Sequence, residues 1–124
     1  MIVSLPFSLK FPTNVDERGA LTVIDGWKNI PFAVKRIFWI YGVPEGARRG
    51  GHAHKLCQQV IIAVAGSARV TIRGQEYMVD DPAKGLHIGP GISIALDRFA
   101  PGTVLVVLCS HLFAEEDYIK DVTA

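Results

Sequence analysis

Turn-forming residues recur along the whole chain and divide it into short segments. Clusters of glycine, proline and polar residues stand at short, even intervals, for example at Gly66-Ser67, Arg73-Gly74, Gly89-Pro90-Gly91 and Pro101-Gly102. The segments between such clusters are rich in Val, Ile, Phe and Thr and comprise residues 20–24, 34–41, 59–65, 68–73, 85–88, 92–96 and 103–110. Regularly spaced short strands of this kind are typical of an antiparallel sandwich or barrel. We therefore predict an all-β fold, with no more helix than one turn near residues 114–118.

The order of side chains within two segments indicates which faces are buried. Residues 68–73 alternate between apolar and polar side chains, so only one face of this strand is expected to contact water. Lys35 and Arg36 are neighbours in another segment, and neighbours on a strand point to opposite faces. Either one of them faces the interior of a barrel, or both lie at a frayed strand start and reach water.

Composition limits the classes of protein to which the chain can belong. For a chain of 124 residues, roughly two-thirds of the surface can be buried, which suits one domain over residues 1–124 and leaves no room for a second. A hydrophobic fraction of 49% with 20% charged residues excludes intrinsic disorder. The net charge of +1 indicates no field that would attract nucleic acid non-specifically. The longest apolar runs have six residues, whereas a membrane helix needs about twenty, so we expect no membrane span.

The two cysteines bear on the compartment of the protein. Cys57 and Cys109 lie in apolar segments and lack the spacing of metal ligands. We interpret them as buried free thiols of a cytoplasmic protein, with a disulfide as the alternative. The apolar start of the chain has neither a basic leader nor a small-residue cleavage site, and we interpret it as the beginning of the domain.

The densest group of reactive side chains is the segment Arg48-Arg49-Gly50-Gly51-His52-Ala53-His54-Lys55. On an extended strand, His52 and His54 would share one face, about 6.7 Å apart along the chain. Two imidazoles on one concave face can give and take protons at neutral pH. Arg49 and Lys55 would make the mouth of such a pocket positive, which favours a phosphate group.

Two other interpretations of this segment stay open. The first is a pair of ordinary surface histidines on a strand. The second is a metal site, because His-x-His often begins one, but Gln58 and Gln59 stand where a carboxylate ligand would be expected. We interpret His87 as a half-buried strand histidine and His111 as a solvated one, and we expect neither to bind a metal.

The order of motifs along the chain resembles that of the dTDP-sugar 3,4-ketoisomerases, which are WxcM-like members of the cupin superfamily. The resemblance rests on an ordered set of motifs from about residue 11 to residue 122. The set includes Asp16-Glu17-Arg18-Gly19, Val34-Lys35-Arg36, Arg49-Gly50-Gly51-His52-Ala53-His54-Lys55, Gly66-Ser67, Gly89-Pro90 and Asp117-Tyr118-Ile119.

This resemblance implies a fold, a reaction and a set of site residues. The implied fold is a small cupin jelly-roll barrel that forms a homodimer, often by exchange of N-terminal strands, and that uses no metal or other cofactor. The implied substrate is a dTDP-4-keto-6-deoxyhexose, which is converted to its 3-keto isomer through an enediol. The catalytic pair falls on His52 and His54, one as the base at C3 and the other as the proton carrier, in an order that the sequence leaves open. Arg49 and Lys55 fall on substrate-binding positions, with Arg18 either a third such residue or part of a structural salt bridge.

The sequence departs from the family pattern at two places in the expected pocket wall. Phe38 and Trp39 stand where tyrosines are usual, as core or interface aromatics or as a platform on which a base stacks. Ser93-Ile94-Ala95 replaces a Trp-His-Glu stretch. These replacements keep two alternatives open beside the isomerase. One is a non-catalytic cupin that binds a nucleotide sugar or regulates a partner enzyme, and the other is a metal-dependent cupin enzyme.

Overall fold

Twelve short strands make up almost all of the regular structure in the described part of the chain. A computed structural model describes residues 5–26 and 28–120, without the side chains of residues 52, 119 and 120. The strands are β1 (Phe7–Lys10), β2 (Thr13–Asp16), β3 (Gly19–Thr22), β4 (Arg36–Ile40), β5 (Arg49–His54), β6 (Gln59–Ala65), β7 (Ala68–Ile72), β8 (Gln75–Val79), β9 (Lys84–Ile88), β10 (Ile94–Asp97), β11 (Val104–Cys109) and β12 (Tyr118–Lys120). A 3-10 helix at Glu115–Asp117 lies within the predicted helical turn. The all-β prediction is confirmed.

The strands form two five-stranded antiparallel sheets and a hairpin. The first sheet has the order β1-β9-β6-β11-β4, and the second has the order β12-β5-β10-β7-β8. Strands β2 and β3 form the separate hairpin. Strand β1 pairs with β9 of its own chain. No helix in residues 5–26 and 28–120 is long and apolar enough to cross a membrane.

Alternation along the strands divides the apolar side chains between two clusters. Ile61 and Val107 of the first sheet pack with Val70 of the second in the larger cluster, which lies between the sheets. The residues next to them point the other way, so that Val60 packs with Phe32 in a smaller cluster on the outer face of the first sheet. Period-two alternation therefore gives the first sheet two buried faces over part of its area.

A glycine allows β5 and β10 to approach each other closely. Gly50 has a φ of +100°, and a Cβ at this position would collide with the carbonyl oxygen of Ile94. The register of the β5–β10 pair shifts between Ile94 and Ala95, next to this contact. A residue without a Cβ is needed here, because the backbone of β10 comes within contact distance of position 50.

Candidate active site

A cavity of about 280 Å³ lies between the two sheets and is lined by both. Its polar lining consists of Arg36, Arg49, His54, Gln59 and Tyr118. The rest of the wall is Gly50 and the apolar residues Phe38, Ile40, Ile61, Ile94, Leu96 and Val107. A mostly apolar cavity with a few convergent polar groups is the usual form of a small-molecule site.

His54 is the last residue of β5, and its ring is held on two sides. The His54 side chain is 12% exposed, and its Nδ1 lies 3.3 Å from Oδ2 of Asp117. Its Nε2 lies 3.5 Å from Nε2 of Gln59 on the first sheet. The ring of Tyr118 meets the His54 ring edge-on at a centroid distance of 4.7 Å. Groups from both sheets thus contact this imidazole, with Asp117 and Tyr118 on one sheet and Gln59 on the other.

Asp117 belongs to the turn that leads into β12. Its side chain is 10% exposed. The backbone N–H of Leu56 donates to Oδ1 at 2.7 Å, and the N–H of Cys57 donates to Oδ2 at 3.4 Å. The main-chain oxygen of Asp117 also accepts from the Lys55 N–H at 2.7 Å. The pairing of β12 with β5 therefore places a buried carboxylate against His54 and ties it to the backbone beyond that residue.

A row of three side chains crosses the first sheet at the same level. Gln59 pairs with Cys109, and Cys109 pairs with Arg36 on the far side. The guanidinium of Arg36 lies 4.8 Å from the ring centroid of Phe38 and 5.3 Å from that of Phe113. The Cys109 pKa lies above its ordinary value because of its contact with Cys57 and its burial, so Cys109 stays a neutral thiol. Three neighbouring strands of the first sheet thus carry an amide, a neutral thiol and a guanidinium group side by side.

The chain matches the family model described as FdtA, WxcM-like, C-terminal, over residues 7–124. It belongs to this family. The TDP-4-oxo-6-deoxy-alpha-D-glucose-3,4-oxoisomerase of Aneurinibacillus thermoaerophilus is 38% identical over 116 residues, which cover 90% of this chain and 84% of the relative. The resemblance read from the motifs is thereby confirmed.

Solved structures agree with this assignment in both fold and sequence. A 3,4-ketoisomerase from Helicobacter canadensis superposes with a TM-score of 0.89 at 34% identity, covering 94% of this chain and 90% of the other. A histidine-to-asparagine variant of the 3,4-ketoisomerase QdtA from Thermoanaerobacterium thermosaccharolyticum, in complex with TDP-4-keto-6-deoxyglucose, gives 0.88 at 36% identity. That match covers 97% of this chain and 90% of the QdtA chain. The predicted cupin jelly roll is confirmed by these neighbours.

The predicted site residues of this FdtA-family chain lie in different places. Arg49 and His54 line the cavity. His52 lies in β5 with its backbone opposite Ile94 and Lys120, and its side chain lies outside the described part of the structure. Lys55 is exposed and borders a separate hollow on the surface. The prediction that the two histidines share one face therefore stays a prediction.

Arg18 lies in the turn of the β2–β3 hairpin and does not line the cavity. Its guanidinium binds the carboxylate of Asp16 at 2.7 Å, and the Arg18 side chain is 84% exposed. Hydrogen bonds from Arg18 hold the pKa of Asp16 below its ordinary value. The salt bridge that was the alternative interpretation of Arg18 is present.

Four polar residues of the cavity region were not among the predicted site residues. In the sequence, Asp117 and Tyr118 were noted only as part of a family motif. Gln59 was noted as part of another such motif and as a residue standing where a metal site would need a carboxylate. Arg36 is the member of the Lys35-Arg36 pair that faces the interior, while Lys35 is exposed. Alternation along the strand indicated that at most one of these two residues faces the interior, but it did not indicate which. The pairing of β4 and the lining of the cavity identify this residue as Arg36.

The departures from the family pattern divide between the two faces of the sheets. Phe38 and Ile94 line the cavity, whereas Trp39 is 60% exposed on the opposite face of β4. Ser93 and Ala95 are buried.

Among the described side chains, which do not include that of His52, no three His, Cys, Asp or Glu groups converge as metal ligands would.

Proposed function

We propose that this chain is a nucleotide-sugar 3,4-ketoisomerase that converts a TDP-4-keto-6-deoxyhexose into its 3-keto isomer. The observation that carries the proposal is the partly buried His54 imidazole at the wall of the cavity, between a carboxylate and an amide. An oriented imidazole suits the proton transfers of keto isomerisation. The 3,4-oxoisomerase at 38% identity supports the same reaction class.

The reaction moves protons and leaves the carbon skeleton unchanged. A base removes the C3 hydrogen, which the neighbouring C4 ketone acidifies, and the electrons form an enediolate with the negative charge on the C4 oxygen. That oxygen gains a proton, the C3 hydroxyl loses one, and C4 is protonated to give the 3-ketone. We propose His52 and His54 as the two groups that exchange these protons, because each ring can act as acid and base near neutral pH.

Two guanidinium groups are suited to hold the substrate diphosphate. Arg36 and Arg49 approach the cavity from opposite sheets. Neither forms an ion pair with a carboxylate of the described residues. Planar guanidinium groups bind phosphate oxygens in pairs of hydrogen bonds. We assign Lys55 to the outer part of the nucleotide, since it is exposed beside His54. Arg18 would contact the substrate only if the bound ligand reaches the β2–β3 hairpin.

The apolar wall favours one second candidate, a cupin that binds the nucleotide sugar without turning it over. Phe38 and Ile94 give the cavity two side chains that cannot exchange protons. Tyr118 is the described cavity residue that carries a hydroxyl group. The isomerase is favoured because His54 keeps two polar neighbours in a cavity where simple binding would not require them.

Incubation with TDP-4-keto-6-deoxyglucose in D₂O separates the two candidates. An isomerase should form the 3-keto sugar with deuterium at C4 and should return substrate with deuterium at C3, both visible by NMR. Binding of the nucleotide sugar by calorimetry without either exchange would support the non-catalytic cupin and contradict the isomerase. A His87→Gln variant, changed outside the cavity, serves as the matched control and should exchange at the wild-type rate.

We also propose that the protein is a cytoplasmic homodimer. Ile37 and Trp39 on the outer face of the edge strand β4, and Tyr41 directly after it, are 54%, 60% and 69% exposed. Exposed apolar side chains on an edge strand are typical of an interface. The buried free thiols Cys57 and Cys109 are consistent with a reducing compartment. A sedimentation coefficient of a monomer at micromolar concentration would contradict the dimer.

A further inference from the structure

We propose that Asp117 is a positioning residue that holds the His54 ring with its proton on Nδ1, so that Nε2 is the nitrogen that exchanges protons with the substrate. The inference rests on the proposed function for the reaction. The tautomer of His54 is a property of the protein alone and can be measured without substrate.

The hydrogen bonds around Asp117 determine the direction of the bond to His54. Both carboxylate oxygens accept backbone N–H groups, Oδ1 from Leu56 at 2.7 Å and Oδ2 from Cys57 at 3.4 Å. An ionised carboxylate has only acceptor sites. The His54 Nδ1, 3.3 Å from Oδ2, must therefore donate. In a neutral imidazole the proton on Nδ1 leaves Nε2 as the acceptor.

The contact on the other side of the ring is consistent with this tautomer. The side-chain amide of Gln59 lies with Nε2 at 3.5 Å from the His54 Nε2. An amide NH₂ donates to the unprotonated ring nitrogen, so Gln59 and Asp117 favour the same proton position. A hydrogen bond of this length is at the weak limit. The amide can yield to a substrate C–H or hydroxyl with little loss, whereas the Asp117 side remains anchored.

The backbone prevents the carboxylate from moving away from the ring. Tyr118 and His54 are opposite each other in the antiparallel β12–β5 pair. The Lys55 N–H donates to the Asp117 main-chain oxygen at 2.7 Å, which closes the pairing next to His54. Glu116, the preceding residue, is exposed. One acidic residue of the short helical turn thus enters the site, and its neighbour offers a control with the same charge.

The test compares Asp117→Asn with Glu116→Gln by activity and by the tautomer of His54. An asparagine at 117 keeps an oxygen for the Leu56 N–H, but its NH₂ group donates toward Nδ1 and therefore favours the opposite tautomer. We expect kcat to fall by about 10²- to 10⁴-fold, the range for loss of a general base or its correct tautomer, with KM changed far less. Glu116→Gln should keep the wild-type kcat.

The ring signals give a readout that a purely structural role would not change. In ¹⁵N-labelled protein in mildly alkaline buffer, where an imidazole is neutral, His54 should show a protonated Nδ1 in the wild type and a protonated Nε2 in Asp117→Asn. A His54→Asn sample identifies the signals. A wild-type ring protonated on Nε2, or an unchanged kcat in a folded Asp117→Asn protein, would overturn the inference. If Asp117→Asn does not fold, the wild-type tautomer decides alone.

Failure of this inference can be distinguished from failure of the proposed function. A wild-type protein that does not isomerise the sugar but has the Nδ1 proton would contradict the isomerase and support the positioning of His54 by Asp117. A wild-type protein that isomerises the sugar with the proton on Nε2 would keep the isomerase and overturn the role of Asp117.

Discussion

Two histidines of this fold, the partly buried His54 and the buried His87, have similar neighbours but different environments. His54 lies at the inner face of the second sheet, and His87 lies on the outer face of the first. Each contacts a glutamine, His54 through Gln59 at 3.5 Å and His87 through Gln58 at 2.9 Å. Each also meets an aromatic ring, that of Tyr118 or that of Phe7. The adjacent glutamines of one chain segment thus serve opposite faces of the first sheet.

The difference lies in what each ring has on its Nδ1 side. The Nδ1 of His54 meets the Asp117 carboxylate, whereas the buried Nδ1 of His87 has no hydrogen-bond partner among the described residues. Burial lowers the pKa of His87, because the protonated ring would be a charge in an apolar environment. A buried histidine can therefore be a packing element or an acid–base group, and a carboxylate neighbour with access to a cavity separates the two roles.

The largest expected effect is the loss of exchange when a proposed catalytic histidine is removed. His52→Asn and His54→Asn should each lower the rate of C3 deuterium exchange by about 10²- to 10⁴-fold, because the ring that carries the proton is gone. TDP should still bind by calorimetry, since the diphosphate contacts that we propose are Arg36 and Arg49. His87→Gln is the control and should keep the exchange rate. Wild-type rates in both asparagine variants would show that the proposed roles are wrong.

Replacing each of the two adjacent glutamines should have a smaller effect, on stability in one case and on activity in the other. Gln58→Leu leaves the buried His87 Nε2 without its acceptor and should lower the free energy of unfolding by about 1–3 kcal/mol while activity is kept. Gln59→Leu should mainly lower kcat, by about tenfold, because it removes only a weak contact to Nε2 of His54, the nitrogen that we propose to react. Urea denaturation measures the stability of both variants, and steady-state kinetics measures their kcat. The same pattern in both variants would contradict the separation of the two faces.

The smallest expected effect is a pH dependence of stability that comes from His87. Its pKa is lowered in the folded protein, so the unfolded chain binds the proton more readily. The stability contributed by the neutral ring is therefore present above the unfolded pKa of about 6.5 and is lost as the pH falls toward the folded value. His87→Gln should reduce the loss of unfolding free energy between neutral and mildly acidic pH. Equal pH slopes for wild type and variant would contradict this assignment.

Alternation and turn spacing were sufficient to predict much of the fold. The segment 59–65 coincides with β6, and 68–73 and 103–110 match β7 and β11 within one residue at each end. Strands β1, β2 and β8 were not predicted, because their side chains are largely exposed and burial leaves little periodic signal in the sequence. Strand β12 was not predicted either, because a strand of three residues is too short for alternation to show. The prediction of buried free thiols at Cys57 and Cys109 is confirmed.

The candidate site was predictable only where its residues are close in sequence. Arg49 and His54 share one segment, and both line the cavity. Asp117 is 63 positions from His54, and its approach depends on the pairing of β12 with β5, which periodicity cannot reveal. The prediction that His87 is a plain strand histidine agrees with its burial and its glutamine partner, although it is buried more completely than half.

The separation of 63 positions between His54 and Asp117 has a consequence for the order in which the protein is made. A ribosome synthesises the imidazole and most of both sheets before it reaches the carboxylate. A nascent chain that ends before β12 can already bury the central strands, but it has no acidic partner for the ring. Catalytic competence would then arise as a late event of biosynthesis, after the framework that contains it has begun to fold.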